Sequence, residues 1–288
     1  MRSDTRSVPD LFLGTAAVEA GHLTRPMLRG PGVQRLVRGV YSAAGTTVTH
    51  ELRCRAVNLV APPDAVVTGA SALTVHGAAL CTPWAPVHVV VPLARRFDLG
   101  RDVVVTRRPV TAAETTPGAG GQLATPLRAA VDLLLGRSAL DAVPELDVVL
   151  RRGLVDRDEL ARHLAGRSDR GVVAARRSVD LADGRAESRP ESWTRVVLVL
   201  AGLAPEPQHE IFDERGFVAQ VDLAFVRERV VVEYEGEHHG ERSWLVRDRQ
   251  RLDRLREAGW VVVFVTRADL HRPKRELVAR VRGALAAV

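Results

Sequence analysis

"GFVAQVDLAFVRERVVVEYEGEHHG", residues 216–240, decides how the C-terminal part of this chain folds. Two apolar, β-branched runs flank a polar turn centred on Arg227–Glu228, the pattern of an antiparallel hairpin. A loop centred there sets Asp222 directly opposite Glu233. Opposed residues in such a pair have Cβ atoms about 4.5–5.5 Å apart, and like charges so placed are destabilising. A divalent cation between the two carboxylates removes that cost. Strand alternation puts Glu235 on the face of Glu233 and turns Val232 and Tyr234 into a core. A slip of one residue would undo the constellation.

The flanking sequence builds a module around this hairpin. "SRPESWTRVVLVLAGL" (188–203) reads as a helix, "SWLVRDRQRLDRLREAGW" (243–260) as a long helix, "WVVVFVT" (260–266) as a strand and "RPKRELVARVRGAL" (272–285) as a last helix. The order is α-β-β-α-β-α. Leu245, Asp248, Leu252 and Leu255 fall on one face of the long helix. Asp248 on an apolar face needs a partner: either a salt bridge to an arginine, or a role orienting His239 or a metal-bound water. Ser188 and Glu191 have capping-box spacing, and Glu191 can also face the site. Of His238 and His239, one could act as a general base. Glu237 is expected to face solvent.

The chain as a whole sets the context. Its 288 residues imply two or three domains. No apolar run reaches the roughly 18 residues that span a bilayer, and no signal peptide is expected at the N-terminus. Cys54 and Cys81 make no CxxC pair, so a reducing, cytoplasmic setting is expected, with no membrane and no structural zinc. The net charge is +6, and 40 of the 41 basic residues are arginine. Arginine suits phosphate through its planar fork, and a basic balance favours nucleic acid as partner.

Residues 1–60 carry eight arginines against four acids. They read as helix, turn, helix and β segment, the order of a winged helix-turn-helix. Arg25, Arg29, Arg35 and Arg38 fall on its second helix and wing. A small cap with solvated arginines is the competing reading. Residues 61–185 mix strands ("VHVVVP", "DVVVTRRPV") with amphipathic helices ("TPLRAAVDLLLG", "LDAVPELDVVLRRG") and form an α/β connector domain. A boundary is expected near residue 185, and residues 186–288 form the C-terminal domain. The fold class is thus α/β and α+β, multidomain.

The run Asp222, Glu233-Tyr-Glu235-Gly236-x-x-His239, then Asp248-x-x-Arg251-x-x-x-Leu255-x-x-x-Gly259-Trp260, resembles the very-short-patch-repair (Vsr-like) branch of the PD-(D/E)xK nucleases. The resemblance covers roughly residues 187–270. It implies a restriction-endonuclease-like core and Mg²⁺ (or Mn²⁺) held by Asp222, Glu233 and Glu235. It also implies His239, Glu191 and Asp248 as further catalytic groups, with Arg247 and Arg251 at DNA phosphates or paired to acids. Position 235 is Glu where that family usually has Asp, and the module has no cysteine for a zinc. "GHLTRPMLRGPGVQRLVRGVYSA" (21–43) and "LATPLRAAVDLLLG" (123–136) resemble AbiEi-like type IV antitoxins. That resemblance implies DNA binding, repression of the protein's own operon and a toxin partner. Two functions follow as expectations: a metal-dependent DNA endonuclease with a DNA-reading N-terminus, or an antitoxin-like repressor whose nuclease-fold domain is non-catalytic.

Overall fold

The computed structural model describes residues 10–236 and 242–287, with side chains for 10–236 and 250–287. The chain divides into two compact units. One runs through Leu135 and adds Leu154–His163; the other takes Gly136–Gly153 and the chain from Leu164 onward. Both mix helices and sheets. The division differs from the expected boundary near residue 185, because the helix of residues 139–151 packs along the helix of residues 189–200 and along that of residues 172–181.

The first unit begins with β1 (Phe12–Leu13), α1 (Gly14–Glu19), β2 (Val33–Val37) and β3 (Val40–Ala43). These strands form an antiparallel sheet in the order β1-β3-β2. The expected first helix is shorter than its sequence suggests, because Phe12 and Leu13 pair with Tyr41 and Val40 instead of winding up. The Phe12 and Tyr41 rings stack with centroids 6.0 Å apart. The expected second helix is only a single 3-10 turn, Met27–Arg29. Pro26 and Pro31 bracket it, and a proline ring bars extension of the helix beyond its first turn. The β2–β3 turn uses Gly39 at φ +85°, a conformation that favours glycine. Leu36, Val37 and Val40 on its two strands are buried.

The rest of this unit holds α2 (His50–Asn58), β4 (Val66–Val67), α3 (Gly69–Val75), β5 (Val87–Val91), β6 (Val103–Arg107), β7 (Thr115–Gly118), β8 (Gly121–Ala124) and α4 (Pro126–Leu134). Five strands form a mixed sheet in the order β6-β5-β4-β8-β7. Two of its arginines are structural. Arg53 is buried and donates to the carbonyls of Leu36 and Ala85 and to Asp102. Arg128 is buried against Asp132 and Glu114.

In the second unit α5 (Ala139–Arg151), α7 (Val172–Leu181) and α8 (Arg189–Leu200) precede the sheet; α6 (Arg157–Ala165) carries the chain across the junction at residue 163. Then follow β9 (Glu206–Asp213), β10 (Gly216–Phe225), β11 (Val230–Glu235), α9 (Arg242–Glu257), β12 (Val261–Thr266), α10 (Arg267–His271) and α11 (Lys274–Ala286). The sheet runs β12-β11-β10-β9. β9, β10 and β11 are antiparallel neighbours, and β11 pairs with β12 in parallel across the α9 crossover. β9 is the strand that the sequence reading lacks.

Alternation along the strands divides the apolar residues between two faces. Leu223, Phe225, Val230, Val232, Val263 and Val265 pack with Val197 and Leu198 of α8 and Leu277 and Val281 of α11, and Tyr234 packs against the same core. Ala224 and Val231 face the other way, with Leu255 and Leu252 of α9. Each such Val or Leu contributes about 1.5–3 kcal/mol on burial. α5 is fixed along α8 by a buried ion pair, Arg195 Nη2 to Asp147 Oδ2 at 2.9 Å. The other Asp147 oxygen accepts the Asp183 N–H at 2.7 Å, and Arg195 Nη1 donates to the Leu181 carbonyl at 2.7 Å.

Candidate functional site

The β10–β11 ladder pairs Leu223 with Val232, Ala224 with Val231 and Phe225 with Val230. This is the register read from the turn at Arg227–Glu228, and its next step brings Asp222 to Glu233. Arg229 closes the turn at φ +50°. On the other side, β9 pairs Pro207 with Leu223 and His209 with Val221, so Gln208 comes level with Asp222. A row therefore crosses the sheet: Gln208, Asp222, Glu233, and then Phe264, the parallel partner of Glu233.

Each carboxylate in this region is held by specific donors. Asp222 Oδ2 accepts the Tyr234 N–H at 2.7 Å. Glu233 is buried, and its Oε1 accepts from Arg251 Nη2 at 2.6 Å. Glu191 stands in the first turn of α8, where Ser188 Oγ caps its N–H at 3.4 Å. Its buried carboxylate accepts the Glu187 N–H at 2.9 Å and Gln208 Nε2 at 2.9 Å. Gln208 Oε1 in turn accepts from Gln220 Nε2 at 2.8 Å. Gln208 adopts φ +54°, a left-handed conformation uncommon for a non-glycine residue inside a strand.

The electrostatics follow from this crowding. Burial raises the Asp222 pKa to about 7, with the Glu191 and Glu233 charges adding to the shift. The Tyr234 N–H and the Arg251 charge oppose it. Three carboxylates thus lie close enough for their charges to act on one another, with the Arg251 guanidinium on Glu233, the arrangement in which like charges make ionisation costly. Their donors are hard oxygens, the type that Mg²⁺ and Mn²⁺ prefer. That chemistry suits a divalent cation, although among the described residues no group of three or more His, Cys, Asp or Glu is arranged to hold one. Glu235 is exposed at the end of β11, paired with Thr266.

The other expected site residues distribute as follows. His239 lies outside the described residues, as do the side chains of Arg247 and Asp248. Arg251 pairs with Glu233. Arg25, Arg29, Arg35 and Arg38 are exposed on the first unit, the first two in and beside the 3-10 turn and the last two on β2 and its turn. Their side chains have no ion-pair partner among the described residues. Gln208 and Gln220 escape a reading of the sequence. Their roles depend on β9, whose "PEPQHEIFDERG" is broken by prolines and charges and carries no clean alternation.

No family model matches the chain. It is similar to the uncharacterized proteins MT2308 and Rv2248 of Mycobacterium tuberculosis (strains CDC 1551 / Oshkosh and ATCC 25618 / H37Rv), at 38% identity over 165 residues. The match covers 56% of this chain and 61% of each relative, so the chain spans less than two thirds of the curated relatives' length. Among solved structures, the crystal structure of RV2827C protein from Mycobacterium tuberculosis is similar at TM-score 0.40 and 20% identity, over 71% of this chain and 84% of that one. The chain is a mixed α/β protein of two compact units.

Proposed function

We propose that this protein binds DNA and that its C-terminal unit is a metal-dependent endonuclease, hydrolysing phosphodiesters on a PD-(D/E)xK-type core. The observation that carries this reading is the row of Asp222 and Glu233 with Glu191 beside it: three acids close enough that burial and the charges of two hold the proton on the third. A structural role would be served better by fewer charges, since gathering like charges in a buried place costs stability.

Asp222, Glu233 and Glu235 would hold Mg²⁺ or Mn²⁺, with Glu191 as a further acid of the site. A bound ion would supply Lewis-acid stabilisation of the developing charge and would lower the pKa of an attacking water. Tyr234 N–H fixes the orientation of Asp222, and Gln208 fixes that of Glu191. Arg251, which pairs with Glu233, carries the planar fork that would suit a phosphate at this site. His239 and Asp248 complete the set that the family resemblance implies. In the first unit, Arg25, Arg29, Arg35 and Arg38 contact the DNA backbone in a winged-helix-like reader, whose shortened second helix weights it toward phosphate rather than base contacts. The setting is cytoplasmic.

Plasmid nicking in Mg²⁺ or Mn²⁺ tests this. Wild type should cleave, and Asp222→Ala should lose at least about a hundredfold of the rate while binding DNA as before. Equal rates for wild type and Asp222→Ala across supercoiled, linear and mismatched DNA would remove the reading.

The Arg251–Glu233 ion pair favours a second reading. A guanidinium already seated on the carboxylate suits a scaffold, in an antitoxin-like repressor of its own operon with a toxin partner. That protein would shift its own upstream DNA in a gel after loss of Asp222 and Glu233, and fail to do so without the four N-terminal arginines.

A further inference from the structure

We propose that the segment after β12 forms a cationic rim which grips the DNA backbone beside the carboxylate row. This inference rests on the nuclease reading above and adds where the C-terminal unit takes hold of its substrate.

The parallel ladder of β11 and β12 ends with Glu235 level with Thr266. α10 begins at the very next residue, so the chain from Arg267 leaves the sheet at the end where Glu233 and Glu235 stand. That stretch reads "RADLHRPKRE", residues 267–276. Arg267, His271, Arg272, Lys274 and Arg275 are all exposed. Among the described residues Arg272, Lys274 and Arg275 make no ion pair and no side-chain hydrogen bond.

The acids of this stretch do not cancel the patch. Asp269 is turned inward and is 7% exposed. It accepts the Thr266 N–H at 2.8 Å and Thr266 Oγ1 at 3.0 Å, and it pairs with Arg280 at 3.2 Å. That buried cap fixes where α10 starts, and so fixes the cations relative to the strand end. Glu276 is the one exposed acid between 267 and 276. Helix stability does not account for the cations. Lys274 and Arg275 open α11, where positive charge opposes the helix dipole. An incoming polyanion reverses that penalty.

The partner that fits is a phosphodiester backbone. Duplex DNA carries about one negative charge per 1.7 Å of axis, so adjacent phosphates can meet adjacent cations. One strand would run from the rim to the carboxylates, its flanking phosphates on Arg272, Lys274 and Arg275 and the reacting phosphate at Asp222 and Glu233.

The test uses the full-length protein and fluorescence anisotropy of a short fluorescein-labelled DNA duplex, without divalent cation, over a series of salt concentrations. The triple variant Arg272→Ala/Lys274→Ala/Arg275→Ala should raise Kd by about tenfold or more, and should reduce the slope of log K against log salt by about two to three. The charge-preserving triple Arg272→Lys/Lys274→Arg/Arg275→Lys should bind within about twofold of wild type, since phosphate contacts respond mainly to charge. The N-terminal arginines are common to all three proteins and cancel in the comparison. An alanine triple with wild-type Kd and slope overturns the rim even if the protein cleaves plasmid. Loss of binding in the alanine triple upholds the rim even if no cleavage is found, and then only the nuclease reading fails. A wild-type protein that does not bind the duplex overturns the rim outright.

Discussion

Asp222 and His50 illustrate opposite uses of burial. At Asp222, burial and two neighbouring acids hold the proton on. At His50, burial keeps it off. His50 is 4% exposed, and its Nε2 lies 2.8 Å from Ser71 Oγ. Burial first, then the charges of Arg53 and His88, lower its pKa from 6.5 to about 4. The unfolded chain therefore binds a proton at a pH where the folded chain does not. Stability from His50 is complete above pH 6.5 and is lost as pH falls from there to about 4. The loss should be at most about 3 kcal/mol. Urea unfolding at a series of pH values should show this acid limb. His50→Gln, which can keep a hydrogen bond to Ser71, should flatten it; an unchanged slope would assign the limb to other groups. Neither environment is legible in sequence. "THELRCRAV" (49–57) marks a helix with a Thr cap, but nothing in it says that His50 meets a serine 21 positions away.

Among the elements, the hairpin was the most legible and β9 the least. β10 and β11 alternate and are β-branched around a short polar turn, so register followed from the turn alone. The row of acids was legible with it, since Asp222 and Glu233 belong to the same local unit. Gln208 was not, because it joins the row only through pairing with β10. The long apolar helices were also readable, whereas the 3-10 turn at Met27–Arg29 shows two prolines overriding a helical composition. Contacts between distant elements were invisible, above all Asp147 with Arg195. Burial raises the Asp147 pKa, and Arg195 pulls against that shift. Asp147→Ala should leave a buried guanidinium unpaired and cost about 3–5 kcal/mol. Asp147→Leu/Arg195→Met should recover most of that. Urea denaturation of the three proteins measures both; a double variant as unstable as Asp147→Ala would mean that the pair contributes more than its own neutralisation.

For the whole molecule, the compact units do not follow the sequence boundary. Residues 136–153 belong with the C-terminal sheet, and 154–163 with the first unit. A fragment of residues 136–288 retains α5, its Asp147 and the apolar side of α8 that α5 covers. It should melt cooperatively by circular dichroism. A fragment of residues 186–288 strands Arg195 and should show little or no cooperative transition. Equal melting of the two would mean that α5 adds nothing to this core. The threading has an evolutionary corollary. The chain passes between the units at 135/136, 153/154 and 163/164, so no single junction in the gene can separate them. A lineage that trades one unit for another by one crossover inherits a hybrid lacking a helix on one side and carrying a surplus one on the other. Such exchange needs several breakpoints at once, so the two units should pass through descent as one piece.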